Sequence, residues 1–161
     1  MTFDKYTIKA QEAVQAALQT AQKAGQQSVE AVHLLTGIIS KGRDITNYVF
    51  QKLGVNSQGV DIALQQEIQH LPRVQGGQPF FSNETAQIFN SAEEISQKMG
   101  DEFVSLEPLL LAIIKGKSTA SRILKDAGCS EEGMRKAIDE LRQGQKVQSQ
   151  SGDENYQVLD K

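Results

Sequence analysis

The chain has 161 residues, enough for one domain with a proper core or for two small halves that share one. Apolar residues make up 39% and charged residues 23%, and a formal charge of −3 gives no basic footprint for DNA or RNA. Cys129 is alone and so excludes an internal disulfide, two distant histidines offer no metal-ligand spacing, and no stretch approaches the about 20 apolar residues that span a bilayer.

Met1 leads into Thr2, Phe3, Asp4 and Lys5 without a signal-peptide pattern, so a cytoplasmic protein is expected. Thr7 then caps a helix that runs to about Lys23, with Ile8, Val14, Ala17, Leu18 and Ala21 on one buried stripe and Gly25 as its stop. A second helix runs from about Ala31 to Ser40 and stops near Gly42. Asp44 caps a third that ends at Gly54, and Asn56 caps a fourth that ends before Pro72. Residues 72–79 (PRVQGGQP) are bounded by proline and too polar for a core, which marks a connector. Ser82, Gly100, Ser105, Gly116, Ser118, Gly128 and Ser130 punctuate four further helices in the same order. Beyond Leu141 the apolar period disappears, and residues 143–152 (QGQKVQSQSG) read as a linker. With residues 156–161 (YQVLDK) after it, the chain reads as the front piece of a longer protein.

The two sets of helices are a repeat. Residues 29–39 (VEAVHLLTGII) fall on 104–114 (VSLEPLLLAII) with their apolar positions in register, and Val14 falls on Phe89. After a one-residue deletion in a loop, 49–55 (VFQKLGV) fall on 123–129 (ILKDAGC), and Val60 and Leu64 on Met134 and Ile138. The expected fold is all-α, with two pseudo-twofold-related four-helix repeats and about eight helices. The first repeat occupies 1–71, the connector 72–81, the second repeat 82–143, and the linker 144–161.

Residues 116–119 (GKST) spell the end of a phosphate-cradling loop, but Leu111 stands where the first glycine of that loop is required. Gly116 is instead a helix stop, and Ser118, aligned with Asp44, is the next N-cap. No converging group that could activate a nucleophile or a water is visible. Glu93 and Glu94, like Glu131 and Glu132, are adjacent on helices and diverge onto solvated faces. His33 reads as a structural histidine and Cys129 as the filler of an apolar site.

Residues 3–13 (FDKYTIKAQEA), the helices containing LLTGII and LLLAII, and residues 100–107 (GDEFVSLE) resemble the duplicated N-terminal domain of the Clp chaperone ATPases. Residues 71–74 (LPRV), 144–147 (GQKV), Glu154, Asn155, Tyr156 and Leu159 are most similar to the ClpB disaggregase type, rather than to ClpA or ClpC. The resemblance implies a domain tethered to a hexameric AAA+ ring that threads polypeptides and works with the DnaK system. ATP and Mg are then cofactors of that ring. The domain itself would be a monomer with no cofactor and no ATPase motif, making no nucleic-acid or membrane contact.

The resemblance also implies a site for unfolded or aggregated polypeptide: a polar patch of Thr7, Asp101 and Glu107 beside an apolar groove that draws on Phe89, Ile95 and Pro108. Pro108 departs from relatives, which carry a larger side chain such as His or Leu there. Phe89 must be partly exposed to serve, although its helical spacing with Ile88, Ala92 and Ile95 is that of a core stripe. Thr7 is independently an N-cap, Glu107 sits in a first helical turn where the helix dipole favours a carboxylate, and Asp101 follows a glycine as a turn residue would. Two other functions remain open: docking of one folded adaptor, as in ClpA or ClpC relatives, and nucleotide binding through Lys117.

Overall fold

The computed structural model describes residues 2–74 and 76–154. Most helices start at a side-chain cap. Helix α1 (Ile8–Lys23) is capped by Thr7, whose hydroxyl accepts the Ala10 N–H at 3.1 Å. Strand β1 (Ser28–Val29) leads to α2 (Ala31–Lys41), α3 (Arg43–Leu53) and α4 (Ser57–His70), the last capped by Asn56. Strand β2 (Phe80–Phe81) precedes α5 (Asn83–Lys98), α6 (Leu106–Lys115), α7 (Thr119–Asp126) and α8 (Glu131–Arg142). A short 3-10 turn follows at Gly152–Glu154.

The all-α, eight-helix expectation holds, with one small addition. The connector is not entirely irregular: β2 pairs in parallel with β1, Ser28 opposite Phe80 and Val29 opposite Phe81. The second half repeats this pairing as a single parallel bridge between Tyr6 and Val104, at the positions that the repeat makes equivalent. Helix packing follows the same symmetry. Helices α2 and α6 meet at the centre, while α3 packs on α8 and α4 on α7, the reciprocal exchange that a pseudo-twofold axis requires.

Helix α1 presents Ala10, Ala13, Ala17 and Ala21, all fully buried, to α2. Gly37 of α2 lies so close that a Cβ there would run into the Ala13 carbonyl oxygen. The equivalent residue of α6 is Ala112, and Ile88 stands in α5 where α1 has Ala13, so the second helix pair carries larger side chains at these positions.

Three local expectations need correction. Asp44 does not cap α3: the N-cap is Gly42, and Asp44 sits within the first turn, where its carboxylate accepts the Ile45 N–H at 3.0 Å. Ser105 occupies the N-cap position of α6 but makes no capping bond, because its hydroxyl is used elsewhere. Ile8 is 47% exposed and lies off the buried stripe of α1. Ser118 does cap α7, accepting the Ser121 N–H at 3.1 Å, so residues 116–119 form a helix-to-helix joint. Ser118→Ala is expected to lower stability by ~1 kcal/mol, read as a fall in the urea midpoint; an unchanged midpoint would show that the cap contributes nothing.

His33 is structural. Its Nδ1 accepts the Glu30 N–H at 2.9 Å, which leaves Nε2 to donate to Gln26 Oε1 at 2.7 Å, and burial lowers its pKa. Cys129 is buried, and that burial pushes its thiol up to about 11.

Candidate functional site

The end of α8 places a charged residue where the repeat calls for an apolar one. Arg142 is equivalent to Ile68, a core residue of α4, and it is itself only 4% exposed. Its guanidinium organises the site. Nη1 donates to Asp101 Oδ1 at 2.9 Å, Nε to Glu107 Oε1 at 2.9 Å, and Nη2 to Ser105 Oγ at 2.9 Å. Nη2 also lies 2.8 Å from Glu107 Oε1. Five donors in a planar fork allow one arginine to satisfy two carboxylates and a hydroxyl together.

Asp101 is fixed by the turn after α5, where Gly100 adopts a left-handed φ of 80° that a side chain would resist. Glu107 projects from the first turn of α6. Thr7 caps α1 and also donates through its hydroxyl to Asp153 Oδ2 at 2.8 Å. The structure therefore gathers all three expected polar residues at the edge of the second repeat, and it buries them: Thr7 and Glu107 fully, Asp101 to 9% exposure.

What covers them is the stretch expected to be a linker. Residues 144–154 turn back over the domain instead of leaving it. The Val147 N–H donates to Asp101 Oδ1 at 3.0 Å, and the Val147 carbonyl accepts the Glu102 N–H at 2.8 Å and, more weakly, the Phe103 N–H at 3.4 Å. The Ile8 N–H donates to the Gln150 carbonyl at 2.8 Å. Val147 is fully buried, packed against Gly152, where a Cβ would stand 3.0 Å from its Cγ1. The rest of the expected linker, residues 155–161, lies outside the described residues.

Asp153 is the costly anchor of this strap. It is 2% exposed, and burial together with the neighbouring Glu107 carboxylate raises its pKa to about 6; the Thr7 hydrogen bond and Lys9 act in the opposite direction. The docked strap thus holds the protonated acid better than solvent does. Docking is favoured fully below the ordinary value of 3.8 and weakens as pH rises through about 6. Protection of the Ile8 and Val147 amides, normalised to intrinsic exchange, should therefore increase as pH falls from neutral to mildly acidic. Protection that is flat or decreasing over that range would contradict it.

The residues named for the expected apolar groove are buried. Phe89 is fully buried, with ring centroids 5.1 Å from Phe3, 5.2 Å from Phe81 and 6.2 Å from Tyr6. Ile95 and Pro108 are buried as well, so the partial exposure that Phe89 requires is not present. Two concavities lie nearby. One of about 220 Å³, between α5 and the α6–α7 joint, is lined by Ile88, Ala112, Lys115 and Lys117 among others. The other, of about 340 Å³, is lined by Tyr6, Glu93, Ser96, Asp101, Glu102 and Phe103, the last three of which bond Val147 of the strap.

Sequence reasoning missed Arg142, Asp153 and the strap. The arginine left a signal, a charge on the buried face of α8 where the first repeat has Ile68. Among the described residues no helix is long and apolar enough to cross a membrane, and no cluster of three or more His, Cys, Asp or Glu could hold a metal ion.

Residues 5–127 match the family model described as the Clp repeat (R) N-terminal domain. The chain is 50% identical over its whole length to the chaperone protein ClpB of Bacteroides thetaiotaomicron and 42% identical to that of Porphyromonas gingivalis, spanning 19% of each. Among solved structures it resembles the Hsp104 N-terminal domain from Candida albicans, with a TM-score of 0.80, 20% identity, and coverage of 93% of this chain and 99% of that one. The N-terminal domain of ClpD from Arabidopsis thaliana gives a TM-score of 0.68 at 22% identity, with coverage of 88% and 97%. At such identities the structural likeness speaks to fold alone.

Proposed function

The chain belongs to the Clp repeat N-terminal domain family, in its ClpB type, and from that premise we propose that it binds exposed segments of unfolded or aggregated polypeptide for an ATP-driven ring. The observation that carries the reading is the pair of backbone N–H groups at Glu102 and Phe103, which hold the carbonyl of a stretch of chain outside any helix or strand. Recognition of that kind reads the peptide backbone and tolerates many sequences, as capture of unfolded protein requires. The Asp101 carboxylate beside them accepts a main-chain N–H, so the site offers both donors and an acceptor to a polypeptide chain.

Affinity should be modest, because ordering a flexible segment offsets much of the gain from a small contact. A tether to a ring would compensate by raising the local concentration of captured chain at the ring's entrance. In this reading the longer protein is a cytoplasmic hexamer that uses ATP and Mg and cooperates with the DnaK system, while these residues hydrolyse nothing themselves.

A second reading, docking of a folded adaptor, is favoured by one feature. Val74 and Phe80 are each about half exposed beside a hollow of about 160 Å³ lined also by Leu71 and Pro72, a fixed apolar patch on the first repeat. Fluorescence anisotropy of a labelled, permanently unfolded polypeptide separates the two, with a folded protein of similar charge as control. Saturable binding of the unfolded chain alone is the expected result. Binding of neither would overturn polypeptide capture by this domain and leave the adaptor reading.

A further inference from the structure

We infer that residues 145–153 are a resident occupant of the polypeptide site at Asp101, Glu102 and Phe103, and that an unfolded segment enters by displacing them. The inference rests on the reading that this domain binds unfolded polypeptide; it adds where the segment binds and what it must replace.

The strap is held as a ligand would be. Its polar contacts with the domain are chiefly main-chain: the Val147 N–H to Asp101, the Val147 carbonyl from Glu102 and Phe103, and the Gln150 carbonyl from Ile8. Between Gln145 and Ser151 only Val147 is buried, and its neighbours on both sides are exposed. One small branched apolar side chain in a pocket, flanked by solvated residues and held at its main chain, is an arrangement that many polypeptide sequences can supply. Any chain with such a residue can offer the same carbonyl to Glu102 and Phe103 and the same N–H to Asp101.

One anchor of the strap is imperfect. Asp153 has one buried carboxylate oxygen, Oδ1, without a hydrogen-bond partner. The cleft at Asp101, Glu102 and Phe103, about 340 Å³ in volume, has room for an incoming chain. The ligand class is therefore a polypeptide stretch with a small branched apolar residue, such as valine, at its centre.

The test compares the affinity of one permanently unfolded polypeptide for the parent, Val147→Ser and Asp153→Asn in the full chain. Val147→Ser empties the apolar pocket of its resident, so affinity should rise by about tenfold as the fraction of open sites grows. Asp153→Asn keeps an acceptor for Thr7 and removes the charge, so the strap should close more tightly and affinity should fall several-fold. Opposite signs from two strap variants are not what a merely structural tail would give.

Should Val147→Ser fail to fold, hydrogen exchange on the parent decides. Saturating polypeptide should expose the Val147 amide to exchange while the Glu102 amide stays protected, now by the ligand. Equal affinities in the three proteins, or binding to the parent with Val147 protection unchanged, would overturn the inference and leave polypeptide binding standing. Binding to none of the three would overturn the underlying reading instead.

Discussion

Arg142→Ala should destabilise the domain by ~3–5 kcal/mol, because it leaves two buried carboxylates without their cation. Asp101 and Glu107 both converge on that guanidinium, and Asp153 lies close enough for Glu107 to influence its titration. The first repeat shows what a neutral solution looks like. At the positions of Asp101, Glu107 and Arg142 it carries Gln26, Val32 and Ile68, and the Gln26 amide donates to the Ile68 carbonyl. Combining Asp101→Gln, Glu107→Val and Arg142→Ile should therefore recover most of what Arg142→Ala loses, since a buried ion cluster is seldom more stable than its apolar counterpart. Urea unfolding of the single and triple variants checks both statements. A single variant within the ~1 kcal/mol typical of an exposed ion pair would show that the cluster is effectively solvated. The ionic solution also gives the second repeat something the first lacks, a carboxylate that accepts the N–H of a passing chain at Val147.

Phe89→Ala should be comparably severe, with a loss of ~3–5 kcal/mol, the range for removing a buried aromatic side chain. Its ring sits among Phe3, Tyr6 and Phe81, and Tyr6 and Phe81 are equivalent positions of the two halves, so the cavity would open where the repeats meet. The consequence for function is direct. Weaker polypeptide binding by Phe89→Ala would report a damaged core and not a lost contact, and its urea midpoint should fall accordingly. A variant that unfolds like the parent yet no longer binds would mean that Phe89 turns outward to meet its ligand.

Much of the fold was legible because the chain is punctuated twice in the same order. Thr7 and Ser82, Gly25 and Gly100, Asn56 and Ser130 each mark a helix end by local chemistry, and tertiary packing did not override them. Asp44 misled because a carboxylate near the start of a helix is favourable within the first turn as well as at the cap, so composition alone does not choose between the positions. The polar members of the site were legible only through resemblance. Their own local roles, a cap at Thr7, a turn at Asp101 and a first-turn acid at Glu107, account for them without any site.

The strap was the least legible element, and the reason is physical. It docks through main-chain groups that every sequence possesses, and its one buried apolar side chain is Val147, in a run of Gln, Ser, Lys and Gly. Apolar periodicity detects helices and strands that bury a face; a segment that buries one residue leaves no period to detect. Composition that reads as a linker is therefore compatible with a docked strap when the domain itself supplies main-chain donors and a carboxylate to hold it.

Amide NMR titration of the parent chain with a permanently unfolded polypeptide reports where the ligand binds as well as whether it does. Shifts should concentrate at Ile8, Glu102, Phe103 and Val147, with Val74 and Phe80 unmoved. Shifts gathered at Val74 and Phe80, with the amides around Asp101 unchanged, would contradict this placement and assign polypeptide binding to the first repeat.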